Sequence, residues 1–468
     1  MRRVLESVKI LQYLFIHFFF VLNKEGISRK FCSLTISQLV ENIILRLIST
    51  SITFDLGYIK QVATSLNRVA SWPLIESKNK EYTFAVKWNI TCFLFMSYIL
   101  VFQIWYVRNH ISTTSFVIIG HTYITLAMTI ICLVSFHYRI YFKSCSVYSK
   151  NLPEFLEKIH LFHQKDNSEY ANKIYNYIEK ICNIFTVFVH IQLYGGIALF
   201  NITPAFKNFK AGMYSSNKPV NTTYETAVYL SLPFDYLTGI KGHIFLSLMS
   251  WVSTSIGSTT FCLWHLLLSL IVFHIWGNLK ILKHNLDNFP KPASQMTSIG
   301  ISLYTEEESK NISTLIVELV NHHRNIMDFM SKTSSAYSFF LLLNFAFYQI
   351  VGCIILLECS KLDSEALGSY GPLTVALFQQ LIQISVTFEL IGTQSEKLID
   401  AVYGLPWECM DMKNRKLVLF FLQNVQEPIN LKACGMVPVG VQTMAAILKA
   451  CCSYFIMLRT VTATEEMT

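Results

Sequence analysis

Ala446, Ala450, Ser453, Met457 and Val461 recur at intervals of three and four residues near the end of the 468-residue chain. At about 100° per residue, that spacing puts all five on one face of an α-helix. The stripe runs from small to bulky. A ring of bulky apolar side chains around a water path can close it by dewetting, which is the chemistry of a gate rather than of a catalyst. The same small residues would also let the helix pack closely on a neighbour. Lys449 lies in this run, where a charge costs roughly 2.5–3.5 kcal/mol on insertion scales. It sits about 80° from Met457 on the helical wheel, and a cation path would not welcome it at a constriction. A protein-facing or snorkelling position follows.

A second group could bury a small apolar molecule. Phe116, Tyr123, His190, Tyr194, Trp251 and Leu377 fall in apolar runs, and Gly120, Gly195 and Gly196 could leave room among them. Micromolar affinity needs about 8 kcal/mol. Over roughly ten heavy atoms this is about 0.8 kcal/mol per atom, attainable only if such a ligand is almost wholly buried. Each of these aromatics alone serves packing equally well, so the set marks a location.

Catalytic and metal-binding patterns are missing. The 12 cysteines include no C-x-x-C pair and no zinc spacing with histidine, and they read as small apolar packing residues. There is no H-E-x-x-H, G-x-S-x-G or phosphate-binding glycine loop, and no pair of carboxylates within an apolar run. No cofactor and no metal are expected, and the chain does not read as an enzyme.

The elements that must position these residues are membrane helices. The chain is 52% hydrophobic and 15% charged, against roughly 25% charged in a soluble domain. Seven runs approach the roughly 20 apolar residues needed to cross a bilayer: about 84–107, 115–136, 181–203, 244–276, 337–357, 372–393 and 438–458. The fourth has no Asp, Glu, Lys or Arg and is long enough to tilt or extend beyond the bilayer. Helical spacing in Leu152–Tyr177 and Thr305–Ser331 continues spans three and five beyond the lipid, and Pro290-Lys291-Pro292 breaks any helix between spans four and five.

Orientation follows from charge. Of the Lys and Arg residues, 28 fall before span one and in the loops after spans two, four and six, whereas 7 fall on the opposite side. Basic residues accumulate in the cytosol, so the N-terminus is expected inside and the C-terminus outside. The sequon at Asn221 then lies outside and could be glycosylated. The net charge of +8 forms no dense basic block, so a nucleic-acid partner is not expected. Residues 1–50 contain one apolar run, Ile10–Leu22, too short to span, behind Met1-Arg2-Arg3; without a small-residue cleavage site it reads as an interfacial or non-native extension.

The last third carries a more specific pattern. Gln380-Leu381, Glu389, Ser395-Glu396, Asp400-Ala401-Val402-Tyr403 and Trp407 are followed by Arg415-Lys416, Leu422-Gln423, Gln426-Glu427-Pro428, Gly435, Pro438 and Ile447-Leu448-Lys449, and Ser453–Arg459 closes the series. This order and spacing resemble the insect odorant receptor family. Weaker echoes extend the resemblance to about Phe54–Val461: Leu66-Asn67-Arg68 with Trp72-Pro73, Leu232-Pro233, His274 with Gly277 and Leu282, and His322-His323. Phe388 stands where many relatives have glycine.

The resemblance implies an all-α membrane protein, residues 51–460 forming a seven-helix channel domain with cytoplasmic anchor segments at about 277–336 and 394–437. It implies a subunit of a heterotetramer with the shared odorant co-receptor, in the plasma membrane of olfactory sensory neurons. The last span would line a pore for monovalent and divalent cations, with Met457 and Val461 on the gate positions, Thr460 beside them and Ser453 one turn below. A pocket among spans two, three, four and six would hold a small volatile apolar ligand. A gustatory-type channel of the same architecture is the nearest alternative. A transporter would show broken helices and internal repeats. A G-protein-coupled receptor would have the opposite orientation and its own signatures, absent after span three and in span seven.

Overall fold

The computed structural model describes residues 56–71, 80–110, 116–141, 169–215, 222–232, 238–293, 303–359 and 364–465. The expected extension at 1–50 and the sequon asparagine Asn221 lie outside the described residues, as do the side chains of Phe116, Thr460 and Val461. The described residues form helices α1 (Gly57–Arg68), α2 (Lys80–His110), α3 (Phe116–Tyr141), α4 (Glu169–Lys210), α5 (Ile240–Asp287), α6 (Glu306–Cys359), α7 (Ser364–Tyr403), α8 (Met412–Val425) and α9 (Val441–Glu465). A short antiparallel pair, β1 (Lys432–Ala433) with β2 (Val437–Pro438), precedes α9.

Six helices, α2 to α7, are long and apolar enough to cross a membrane, and α9 supplies a shorter apolar stretch, Val441–Met457. They coincide with the seven expected spans. α6 starts at Glu306 as its periodicity predicted, and α7 runs unbroken to Tyr403; of the extension expected before span three, α4 takes in the residues from Glu169, and 152–168 lie outside the described residues. A 54-residue helix such as α6 is about 80 Å long, far more than a bilayer's thickness.

α5 is the axis of the fold. It is apolar all round, and a helix of that kind must be enclosed by others. Helices α1, α3, α4, α6 and α7 pack around it, and Leu263, Leu266, Leu267, Leu270 and Ile271 are fully buried. Its approach to α4 depends on Gly277, where any Cβ would run into the Ile178 side chain. Its end is set by sequence: Asn288 closes the last turn on the His284 carbonyl at 3.0 Å, and Pro290 follows.

The outward faces invert the soluble pattern. Ile184, Val187, Phe188, Ile191, Leu199 and Ile202 on α4 are exposed, as are Leu94, Val101 and Ile104 on α2. So long an apolar face has no place in water, and lipid is its natural solvent.

At the opposite end from the outer loops, polar contacts assemble a base. Tyr58 of α1 hydrogen-bonds His274 of α5 at 2.7 Å, and His322 of α6 meets Asn278 of α5 at 3.2 Å. α6 begins with a reciprocal capping box. The Thr305 hydroxyl accepts the Glu308 N–H at 3.3 Å, while the Glu308 carboxylate accepts the Thr305 N–H at 2.7 Å. These bonds hold the Glu308 carboxyl below its ordinary range. Beside it, burial pushes the Tyr304 hydroxyl up to about 12, and that hydroxyl donates to the Pro290 carbonyl at 2.6 Å.

Candidate functional site

The aromatic set of the outer helices separates into two layers. Where α3 meets α5, a Cβ at Gly257 would lie 3.5 Å from Met128. That register sets Tyr123 nearly level with Trp251; both are half-buried. Deeper, Leu377 of α7 is buried in the main core. Its neighbour Gln380 donates to the Cys262 sulfur at 2.9 Å, which fixes α7 against α5. Trp251 and Cys262 are eleven residues apart, so the layers are separated by about 16 Å along α5. His190 and Tyr194 belong to the inner layer, their rings 6.1 Å apart.

His190 turns its polar edge away from α7. Its Nδ1 faces the Thr186 carbonyl at 2.8 Å, and its Nε2 lies 3.3 Å from the Ser65 hydroxyl on α1. Gln192, on the opposite side of α4, bonds Gln379 of α7 instead. Gly195 and Gly196 lie on the exposed face of α4 with nothing near them, while Gly120 is buried. The inner layer also has a polar element that the sequence reading passed over. Gln379, Gln380 and Gln383 sit within one turn of α7 and reach Gln192, Cys262 and Ser269. Gln192 Oε1, Gln380 Oε1, Asn201 Oδ1 and the Ser250 hydroxyl are buried with no hydrogen-bond partner among the described residues. Three glutamines in an otherwise apolar run were the available signal, since buried amides are costly unless partnered.

The outer end is roofed. Residues 222–232 cross the tops of α2 to α5. His121 of α3 donates to the Ala227 carbonyl at 2.8 Å and stacks on Phe200. Asn208 of α4 grips the Glu225 backbone at both polar groups, at 2.8 and 2.9 Å. The Ser231 N–H donates to the Phe102 carbonyl of α2 at 3.1 Å, and Tyr224 stacks on His243 of α5 with centroids 4.3 Å apart. Val228 and Leu230 are buried among Ile99, Leu246 and Met249.

α9 has a different character. One seam, Ile447 and Cys451, is buried against α6 and α7. The approach is close: a Cβ at Gly352 of α6 would lie 3.0 Å from the Cys451 sulfur. Ala446, Ser453 and Met457 point the other way and are exposed, Met457 at 60%; Ala450 is intermediate. Lys449 is exposed on the side opposite the seam.

This arrangement, a helix bundle roofed by residues 222–232 beside a half-exposed terminal helix, has a counterpart among known proteins. The family profile described as 7tm Odorant receptor matches residues 123–452, more than half of the chain. The chain belongs to the odorant receptor family. Such a receptor is a multi-pass membrane protein of olfactory neurons, and its family is one of receptors, not enzymes. It is similar to Odorant receptor 10 of Aedes albopictus, at 22% identity over 33% of this chain and 41% of that one. Odorant receptor 22c of Drosophila melanogaster is likewise 22% identical, over 34% of this chain and 40% of that protein. The matched stretches thus span about two fifths of those relatives. Among solved structures, the insect olfactory receptor OR5 from Machilis hrabei superposes with a TM-score of 0.67, and its complex with eugenol with 0.66. Each is 14% identical to this odorant receptor and covers 86% of it and 98% of the solved chain, which establishes a shared fold.

Proposed function

We propose that this receptor is the odorant-binding subunit of a ligand-gated, non-selective cation channel formed with the shared co-receptor, four subunits surrounding one pore lined by α9. One observation carries this reading: Ala446, Ser453 and Met457, on the small-to-bulky face of α9, are turned away from their own subunit, and that taper suits a water path between subunits better than the uniformly bulky faces that α2 and α4 offer to lipid. The N-terminus is cytosolic in this reading and Met457 lies toward the outer surface, making the pore wide at its cytosolic end and narrow at the gate formed with Thr460 and Val461. Monovalent and divalent cations pass when that ring widens. Residues 51–460 form the channel domain.

A small volatile ligand, of the size of the eugenol in the relative's structure, would occupy the chamber between the roof and the α7 glutamines. Tyr123 and Trp251 supply apolar contact, and the unpartnered amide and hydroxyl groups offer it hydrogen bonds. Binding opens the pore only if the ligand prefers the open arrangement.

The test is co-expression with the co-receptor and current recording against a panel of volatile alcohols, esters and phenols. Odorant-evoked current altered by Met457→Trp, with surface expression unchanged, is the expected result. Current indifferent to substitution at Met457 and Val461 refutes the pore assignment. Glycosylation lost in Asn221→Gln supports the orientation; a glycan added instead at a sequon introduced into the 137–178 loop reverses it.

A further inference from the structure

Three residues about one turn apart on α7 hold the segment that leads into α9. The Ser395 hydroxyl accepts the Ile429 N–H at 2.9 Å and donates to the Gly392 carbonyl at 2.8 Å. A Cβ at Gly392 would lie 3.4 Å from the Asn430 side-chain amide oxygen, so that side chain rests against α7 there. Above them, the Glu389 carboxylate accepts the N–H of Val441, the first residue of α9, at 3.2 Å. The same oxygen would lie 3.0 Å from a Cβ at Gly440.

The first N–H groups of a helix lack partners within it and carry partial positive charge. α9 is preceded by Gly440, which has no side chain to serve as a cap, and the Thr443 hydroxyl turns back to the Pro438 carbonyl instead. The carboxylate that fills this role therefore comes from another helix. It does what a local cap cannot: it ties the start of α9 to α7. Leu377 is on the same unbroken α7, about 18 Å along the helix from Glu389.

We propose that Glu389 is a positioning residue that couples the chamber to the pore helix, so that a shift of α7 beside the ligand displaces the first turn of α9. This rests on the reading that α7 borders the ligand chamber and α9 lines the ion path. Hydrogen bonds to charged groups are among the stronger ones, and the mechanical link is lost when the carboxylate is removed.

The experiment uses the full chain with its co-receptor and three variants: Glu389→Ala, Glu389→Gln, and Glu389→Ala combined with Gly440→Asp. The double variant restores a local cap without the tie to α7. For the panel compound giving the largest current, Glu389→Ala should raise the half-maximal concentration roughly tenfold with single-channel conductance unchanged. Glu389→Gln, which keeps a neutral acceptor, should fall between, at roughly threefold. The double variant should keep the tenfold shift. Recovery of the odorant response in the double variant overturns the proposal, because capping alone would then suffice.

Hydrogen exchange on the purified complex needs no ligand and separates failure of the channel reading from failure of this one. Glu389→Ala should speed exchange across residues 426–444, and the added Asp at 440 should restore only the first turn of α9. Unchanged exchange in Glu389→Ala, or full restoration by the second change, overturns it even if no panel compound drives a current.

Discussion

α5 and α9 are both apolar helices of one chain, yet their surroundings are opposite. α5 is enclosed on nearly every side by other helices of the subunit. α9 is covered along one seam and open over the rest. Composition does not separate them; position does. A helix whose partners lie in its own chain is fixed by folding, whereas a helix with a free apolar face has its remaining partners elsewhere. Substitutions in α5 should therefore show in stability, and those on the open face of α9 in activity.

The largest effect expected is from Trp264→Ala. Trp264 packs on Tyr337 at 5.2 Å and Phe340 at 6.1 Å between centroids, and its indole N–H donates to the Ser71 carbonyl at 3.2 Å. Loss of a buried aromatic of this size costs about 3–5 kcal/mol. Thermal unfolding of the solubilised receptor, followed by size exclusion, should show a marked fall. A second test of the same side is Gly277→Val, which drives a side chain into Ile178 and should cost about 1–3 kcal/mol through overpacking.

On α9, enlargement to the same residue should separate the two faces. Cys451→Leu pushes against Gly352 on the seam and should cost about 1–3 kcal/mol. Ser453→Leu, on the open face, should stay within about 0.5 kcal/mol in the isolated subunit while changing the current of the assembled channel. If Ser453→Leu destabilises the isolated chain as much as Cys451→Leu, the contrast between the faces collapses.

The smallest effect concerns the base. The Glu308 carboxyl is held low in the folded protein, so its contribution is present above the unfolded value of about 4.3 and is lost as pH falls through the lower folded value. Glu308→Gln, which keeps an acceptor for the Thr305 N–H but does not titrate, should remove that acid-side dependence and leave neutral-pH currents unaltered. Unfolding curves between neutral pH and about pH 3 would read it.

Apolar run length alone located the membrane helices, because lipid demands it, and the period of Ile312, Leu315, Ile316 and Leu319 announced the extension of α6. Other features depend on partners distant in sequence. The His121–Ala227 bond that closes the roof joins residues 106 positions apart, and no local pattern encodes such a pairing. α1 reads as an ordinary amphipathic segment until Tyr58 is seen against His274, 216 positions away. The packing of the two aromatic layers was half legible. Aromatic residues marked the layers, but the facing of His190 toward α1 and of Gln192 toward α7 depends on helix rotation, which a list of residue types does not carry. α9 was the most legible, since its stripe lies within one helix and needs only the helical period.

The seam along α6 and the contact at Val441 fasten α9 from its first residue to Cys451, with one flank free. It is therefore a lever with a pivot. Met457 stands six residues beyond Cys451, the last buried contact among the described residues, an arm of about 9 Å, so a tilt of about 12° carries its side chain about 2 Å sideways. That is roughly the radius of a methyl group. In the proposed channel, an aperture ringed by such arms would need only a modest rotation of each to change its bore, and the work could be done away from where the bore is narrowest.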